Sequence, residues 1–321
     1  MNKVLYIILI SLFSLTVFSC AKKSSDDSKT NTDNTTTDNT TSSGLFVAVG
    51  AAGTLLTSSD GTTWNAQTSG TSNNLRAVAY GNSILVVVGY SGTVLRSTDG
   101  TTWNDATVLS TTTDNLTNVT YGNNTFMAVG GSGTIITSSD GITWTSKTSG
   151  TSENLWDVAY GNSTWVANGD NGTIISSSDG TSWDNRTSGK TVEFNELYYG
   201  NTSFVSIGDN GTILTSSDGI TWTKRWYDTT YDFYGGTYGN SEFAVVGESG
   251  NVLISTNGTS FYTQILTSFT TTISGIAYGG STWVLVGVSG NIYTIADFTE
   301  TDVTTRTSGT SEHLLRVFYK E

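Results

Sequence analysis

Asp157 and Glu196 stand 39 residues apart in matching contexts, LWDV and FNEL. Two carboxylates held about 5–10 Å apart are what glycoside hydrolysis needs, one as acid and one as base or nucleophile. Three further acids share a second context: Asp170 and Asp209 in GDNG, and Glu248 in GESG. The stretch 226–234 adds Trp226, Tyr227, Tyr231 and Tyr234, which with Trp156 could stack against a sugar or a peptide. Most other chemistry lacks its parts. Cys20 and His313 are the sole cysteine and histidine, so Ser/His and His-metal arrangements are absent. No phosphate loop or EF-hand-like loop occurs, and a net charge of −13 opposes nucleic-acid binding. Neither a metal nor a cofactor is expected.

Positioning these groups falls to a repeat. SSDGTTW (58–64) returns as STDGTTW (97–103), SSDGITW (138–144), SSDGTSW (177–183) and SSDGITW (216–222). It weakens to STNGTSF (255–261), and at 294–301 Asp297 keeps its place while Phe298 replaces the glycine. Gly53, Gly92, Gly133, Gly172, Gly211, Gly250 and Gly290 each stand seven residues before the acid or its substitute, so seven copies of one unit recur every 39 to 41 residues. Within 155–183, short apolar runs alternate with turn residues: A near Leu155–Tyr160, B near Thr164–Asn168, C near Thr173–Ser177, and D from Trp183. Such spacing signals strands, with Gly161-Asn162 and GDNG supplying positive-φ positions in the A–B and B–C turns. Four strands per roughly 40 residues make a β-propeller blade. The fold expected is all-β, a seven-bladed propeller over 45–321.

The body starts at a B strand, Leu45 onward, while LLRVFYKE (314–321) aligns with the A strand LRAVAYGN (75–82). Blade 1 is therefore expected to take its A strand from the C-terminus, which closes the ring and removes an open seam. Tyr80, Tyr121, Tyr160, Tyr199, Tyr238, Tyr278 and Tyr319 end the A strands and read as packing residues. Lys147, Arg186 and Arg225 follow the D-strand Trp by three residues and are expected to discourage pairing at the outer edge.

The recurring acids read as turn residues. Asp60, Asp99, Asp140, Asp179 and Asp218, with Asn257, can each accept backbone N–H bonds from the turn they begin. Trp64, Trp103, Trp144, Trp183, Trp222 and Phe261 then supply packing surface to the blade and its neighbour. The pattern S-x-D-G-x-T-W resembles the Asp-box (BNR-like) repeat, S-x-D-x-G-x-T-W, of sialidases, sortilin-type propellers and the photosystem II assembly-factor type. Here it is one residue shorter. The sialidase activity is not expected: those enzymes use three convergent arginines and an Arg-Ile-Pro type motif. This chain has no proline, and of its arginines Arg76 and Arg316 alone sit on inner strands.

In a propeller the D–A and B–C loops share the face around the channel mouth. Asp157, Glu196, Asp170, Asp209 and Glu248 fall in blades 4 to 6, and one acidic sector of that face is expected. Neighbouring B–C turns would lie roughly 10–13 Å apart, while Asp157 and Glu196 could approach to roughly 6 Å. The plainer reading takes all five as solvated charges on an acidic protein. The expectation is a binding or scaffolding module with a protein or glycan partner, not an enzyme. A cryptic glycoside hydrolase and a client-holding assembly factor, the latter implied by resemblance, stay open.

Residues 1–19 read as a signal peptide, with an apolar run from Val4 to Phe18 that is short for a membrane span. Val17-Phe18-Ser19-Cys20 resembles a bacterial lipobox, which implies lipid on Cys20, two or more acyl chains and stable anchoring in the envelope, at the outer membrane. Residues 20–44 carry no Val, Leu, Ile, Phe, Tyr or Trp and read as a disordered Ser/Thr/Asn/Asp-rich tether. The propeller is expected to be a monomer.

Overall fold

The computed structural model describes residues 44–108, 113–226, 230–264, 266, 270–299, 301 and 303–321. The expected signal peptide, Cys20 and Tyr227 lie outside them, as does the tether up to residue 43. Seven antiparallel sheets follow one another along the chain. Blade 4 shows the unit: Leu155–Gly161 innermost, then Thr164–Gly169, Ile174–Ser177 and the short outer Asp184–Arg186. Each inner strand lies against the inner strands of both neighbouring blades, so the seven close into a ring.

Closure uses both ends of the body. Leu314–Lys320 pairs antiparallel with Leu45–Gly50, with Phe46 opposite Tyr319 and Leu45 opposite Lys320. The blade 1 sheet thus runs from the last strand of the chain to the first three. Blade 3 departs from four strands. Thr107–Val108, leaving blade 2, pairs parallel with the outer strand Thr143–Lys147 and covers its edge.

Seven apolar clusters hold the ring, one at each blade–blade interface. B strands such as Ile84–Gly89 are apolar on both faces because each face meets a different blade. Trp64, Trp144 and Phe261 are buried in these clusters, while Trp103, Trp183 and Trp222 pack on them partly exposed. In blade 7, Phe298 is buried against Trp283, ring centroids 4.9 Å apart, so the residue that replaces the turn glycine packs in the core.

In blades 1 to 6 the C–D turn is a closed hydrogen-bond set. Asp179 Oδ1 accepts from the Ser177 hydroxyl at 2.9 Å and from the N–H groups of Thr181 and Ser182 at 2.7 and 2.8 Å. Asp60, Asp99, Asp140, Asp218 and Asn257 do the same in their blades. These backbone N–H bonds hold the five aspartate carboxyls below the usual carboxylate range.

One expectation is corrected. The positive φ of the A–B turn falls on Asn162 (44°) and Ser163 (58°), the arrangement of a tight hairpin turn, not on Gly161. Gly161 serves the next blade instead: a Cβ there would stand 2.2 Å from the Tyr199 ring. Tyr121, Tyr160, Tyr238, Tyr278 and Tyr319 lie in the same way over Gly81, Gly122, Gly200, Gly239 and Gly279. Arg186 and Arg225 keep their place on the outer strands, Arg225 exposed, and also bond inward. Their Nε groups donate to Ser176 and Thr215 on strand C, both at 2.7 Å.

Candidate functional site

The third position of the inner strand changes in chemistry from blade to blade. It is Arg316, Ala77, Asn118, Asp157, Glu196, Gly235 and Gly275 in blades 1 to 7. Arg316 extends across the channel from blade 1 to blades 4, 5 and 6. Its Nη2 donates to Asp157 Oδ2 at 3.1 Å, and its Nη1 donates to the Tyr234 carbonyl at 3.1 Å and pairs with Glu196 Oε2. Asp157 also accepts from the N–H groups of Val158 and Leu197, at 2.6 and 3.0 Å. Asp157 is 2% exposed and Glu196 8%. The two acids are thus buried and share one cation, which corrects their reading as solvated charges.

Two carboxyls against one guanidinium leave an excess negative charge out of water. Burial is the larger influence and pushes both carboxyls up, Glu196 well above its usual range, although Arg316 pulls the other way. Beside them Tyr198 is buried and its phenol is raised as well, by burial first and by Glu196 second. Arg316 lines cavities on both of its sides. One, about 460 Å³, is ringed by the A-strand tyrosines. The other, about 360 Å³, opens at the D–A and B–C loops and is lined by Arg76, Tyr90, Trp156, Glu193, Asn195 and Tyr234 among others.

The B–C acids are brought together with the mouth aromatics. Asp170 accepts from Trp156 Nε1 and, at 2.8 Å, from Asn154 Nδ2. Asp209 accepts from Asn195 Nδ2 at 2.9 Å, and Glu248 from the Tyr234 hydroxyl at 3.4 Å. In each of blades 4, 5 and 6 the turn acid braces the second residue of its own inner strand. The acidic sector exists, and crowding shows in it. Glu193 and Asp209 are both raised, by burial first and then by neighbouring carboxylates. Tyr231 is exposed, and its carbonyl accepts from the Gly211 N–H of the blade 5 B–C turn. Trp226 is half-buried and packs on the cluster between blades 5 and 6, so it stands apart from the mouth surface.

With that geometry in place, comparison with known proteins bears on the fold. The DUF6242 beta propeller domain matches residues 70–186, the span of blades 2 to 4. No curated protein matches the chain. Among solved structures the chain is similar to YCF48 bound to D1 peptide, with a TM-score of 0.64 and 17% identity over 78% of this chain and 87% of that one. It is similar to YCF48 from Cyanidioschyzon merolae at 0.59 and 16%, over 75% and 87%. A chain of the Nidogen/Laminin complex gives 0.56 and 10%, over 86% and 98%. At these identities the likeness is one of fold.

Asp157 and Glu196 stand out in the sequence, but their common partner does not. The signal was an arginine at a position that is alanine or glycine in three other blades. Equally inconspicuous is the residue just before the inner strand. The Asn74, Asn115 and Asn154 side chains accept from the Ala52, Ser91 and Ser132 N–H groups in the preceding blade's B–C turn. His313 does the same for Ser289 through Nδ1, at 2.9 Å.

Proposed function

We propose that this chain is an exported, lipid-anchored protein whose propeller is a non-enzymatic binding module, engaging a protein partner at the D–A and B–C mouth. The observation that carries this reading is the braced aromatic mouth. Trp156 and Tyr234 border a 360 Å³ cavity and are held by Asp170 and Glu248. Rigid, partly exposed aromatics are the groups that dominate protein recognition. The YCF48 structure with the D1 peptide supports a peptide-binding role by analogy of fold. The carboxylate pair supports the non-enzymatic side. Both acids are buried and bond the same guanidinium, so each is engaged by Arg316 instead of facing open solvent.

Capture from the native envelope tests the binding role. Trp156→Ala is expected to weaken recovery of a discrete partner at least ten-fold, since mouth aromatics contribute about 2 kcal/mol or more, while melting changes little. Undiminished recovery would place the interface elsewhere. The anchor rests on the lipobox-like sequence before Cys20. Cys20→Ser should shift the protein from the membrane to the soluble fraction, and continued membrane retention with an uncut N-terminus would point to the apolar run at 4–18 instead.

A further inference from the structure

The two inner-strand arginines are treated differently by the fold. Arg316 is engaged by Asp157, Glu196 and the Tyr234 carbonyl. Arg76 occupies the position that is Trp156, Asn195 and Tyr234 in blades 4 to 6, where a B–C acid braces the side chain. In blade 2 the equivalent B–C residue is Tyr90, which cannot neutralise a guanidinium. The Arg76 guanidinium carbon lies 5.7 Å from the Tyr90 ring centre and 5.8 Å from that of Trp156. Its Nε is buried and has no hydrogen-bond partner among the described residues. Arg76 thus reaches over blade 3, where the matching residue is the smaller, buried Thr117, to meet an aromatic of blade 4. Arg76, Tyr90 and Trp156 all line the mouth cavity.

A guanidinium flanked by aromatic rings is fixed in orientation, keeps its donor edge, and matches a carboxylate with two parallel N–H bonds. Leaving such a cation partly desolvated and unpaired is costly. Burial, with repulsion from Arg316, lowers Arg76 from its ordinary value against the opposing pull of Tyr90 and Glu196. An arriving anion would relieve both effects. On the other side of the same cavity stands Glu193, crowded by Asp170, Asp209 and Asp232. That side repels a ligand rich in negative charge and favours one with a cation near its carboxylate.

We propose that the mouth cavity is a carboxylate-binding site in which Arg76, flanked by Tyr90 and Trp156, takes one carboxylate of a peptide that bears positive charge beside it. The carboxylate could be a chain terminus or an acidic side chain. This rests on the binding reading above and names the chemistry of its ligand.

The test is fluorescence polarisation with three labelled peptides of the sequence Gly-Gly-Lys-Ala-Ala. One has a free C-terminal carboxylate, one a C-terminal amide, and one the amide with a glutamate inserted after the lysine. The wild-type propeller is expected to bind at least one carboxylate peptide ten-fold or more tightly than the plain amide, and which one binds identifies the source. Arg76→Met should remove that difference, and Arg76→Lys should restore it in part, since charge returns without the fork. Equal binding of all three peptides, no binding of any at millimolar concentration, or an undiminished preference in Arg76→Met would each overturn the site. Envelope capture unchanged by Arg76→Met would also overturn it, while leaving the binding role intact.

Discussion

At the scale of single residues, the unusual feature is a shared cation under two buried carboxyls. Arg316 is the sole group in salt-bridge contact with either acid among the described residues. Removing one partner of a buried ion pair costs about 3–5 kcal/mol because the other charge is left uncompensated. Arg316→Met should therefore lower unfolding free energy by about that much in urea titrations. Glu196→Gln should have little effect, or stabilise, at pH 8, because the surplus negative charge goes. The pH dependence follows from burial, which raises both carboxyls above their unfolded values. The folded chain then holds more protons than the unfolded chain, so this contribution is complete below about pH 4 and is lost as pH rises through the raised values. Wild type should lose melting temperature from pH 5 to 8 relative to Glu196→Gln. A parallel pair of profiles would show that the acids titrate normally. The turn aspartates act in the opposite sense: their carboxyls are lowered, so their contribution is present above about pH 4 and fades as pH falls.

At the scale of elements, six of the seven blade joints carry a tyrosine seated on the neighbour's glycine. Gly161 lies within a strand, so its role is close approach: the Tyr199 ring occupies the space where a Cβ would go. Gly161→Ala should cost about 1–3 kcal/mol through overpacking. Combining it with Tyr199→Ala should cost less than the sum, which a double-mutant cycle in urea would measure. Strict additivity would mean the two do not touch. The strand-and-turn plan was legible because its chemistry repeats: Ser177 and Asp179 recur at fixed spacing, and so do Tyr160 and Gly161. The joint itself was not. Gly161 precedes asparagine and reads as a turn residue, and nothing in one blade's sequence states that the next blade's ring lies on it. Likewise Asp170 reads as a free turn acid until the fold brings Trp156, fourteen residues earlier, against it. Local sequence names the groups, and long-range pairing assigns their partners.

At the scale of the whole molecule, the ring decides what can face what. Period, turn residues and the displaced A strand at 314–321 were enough to read seven blades and their closure. Contacts across the channel were beyond reach of that reading. Arg316 meets Asp157 from 159 residues away, and no spacing rule anticipates such a pair. The ring also gives two unlike faces. Asn201 lies exposed in an A–B turn, while Tyr231 lies exposed beside the B–C turn of the same blade. The partner is assigned to the second face. The most direct test of that assignment places a photo-crosslinking amino acid at Tyr231 or at Asn201 in cells. Crosslinks to one discrete protein from Tyr231 and none from Asn201 are expected; the same protein trapped from Asn201 and not from Tyr231 would contradict the account.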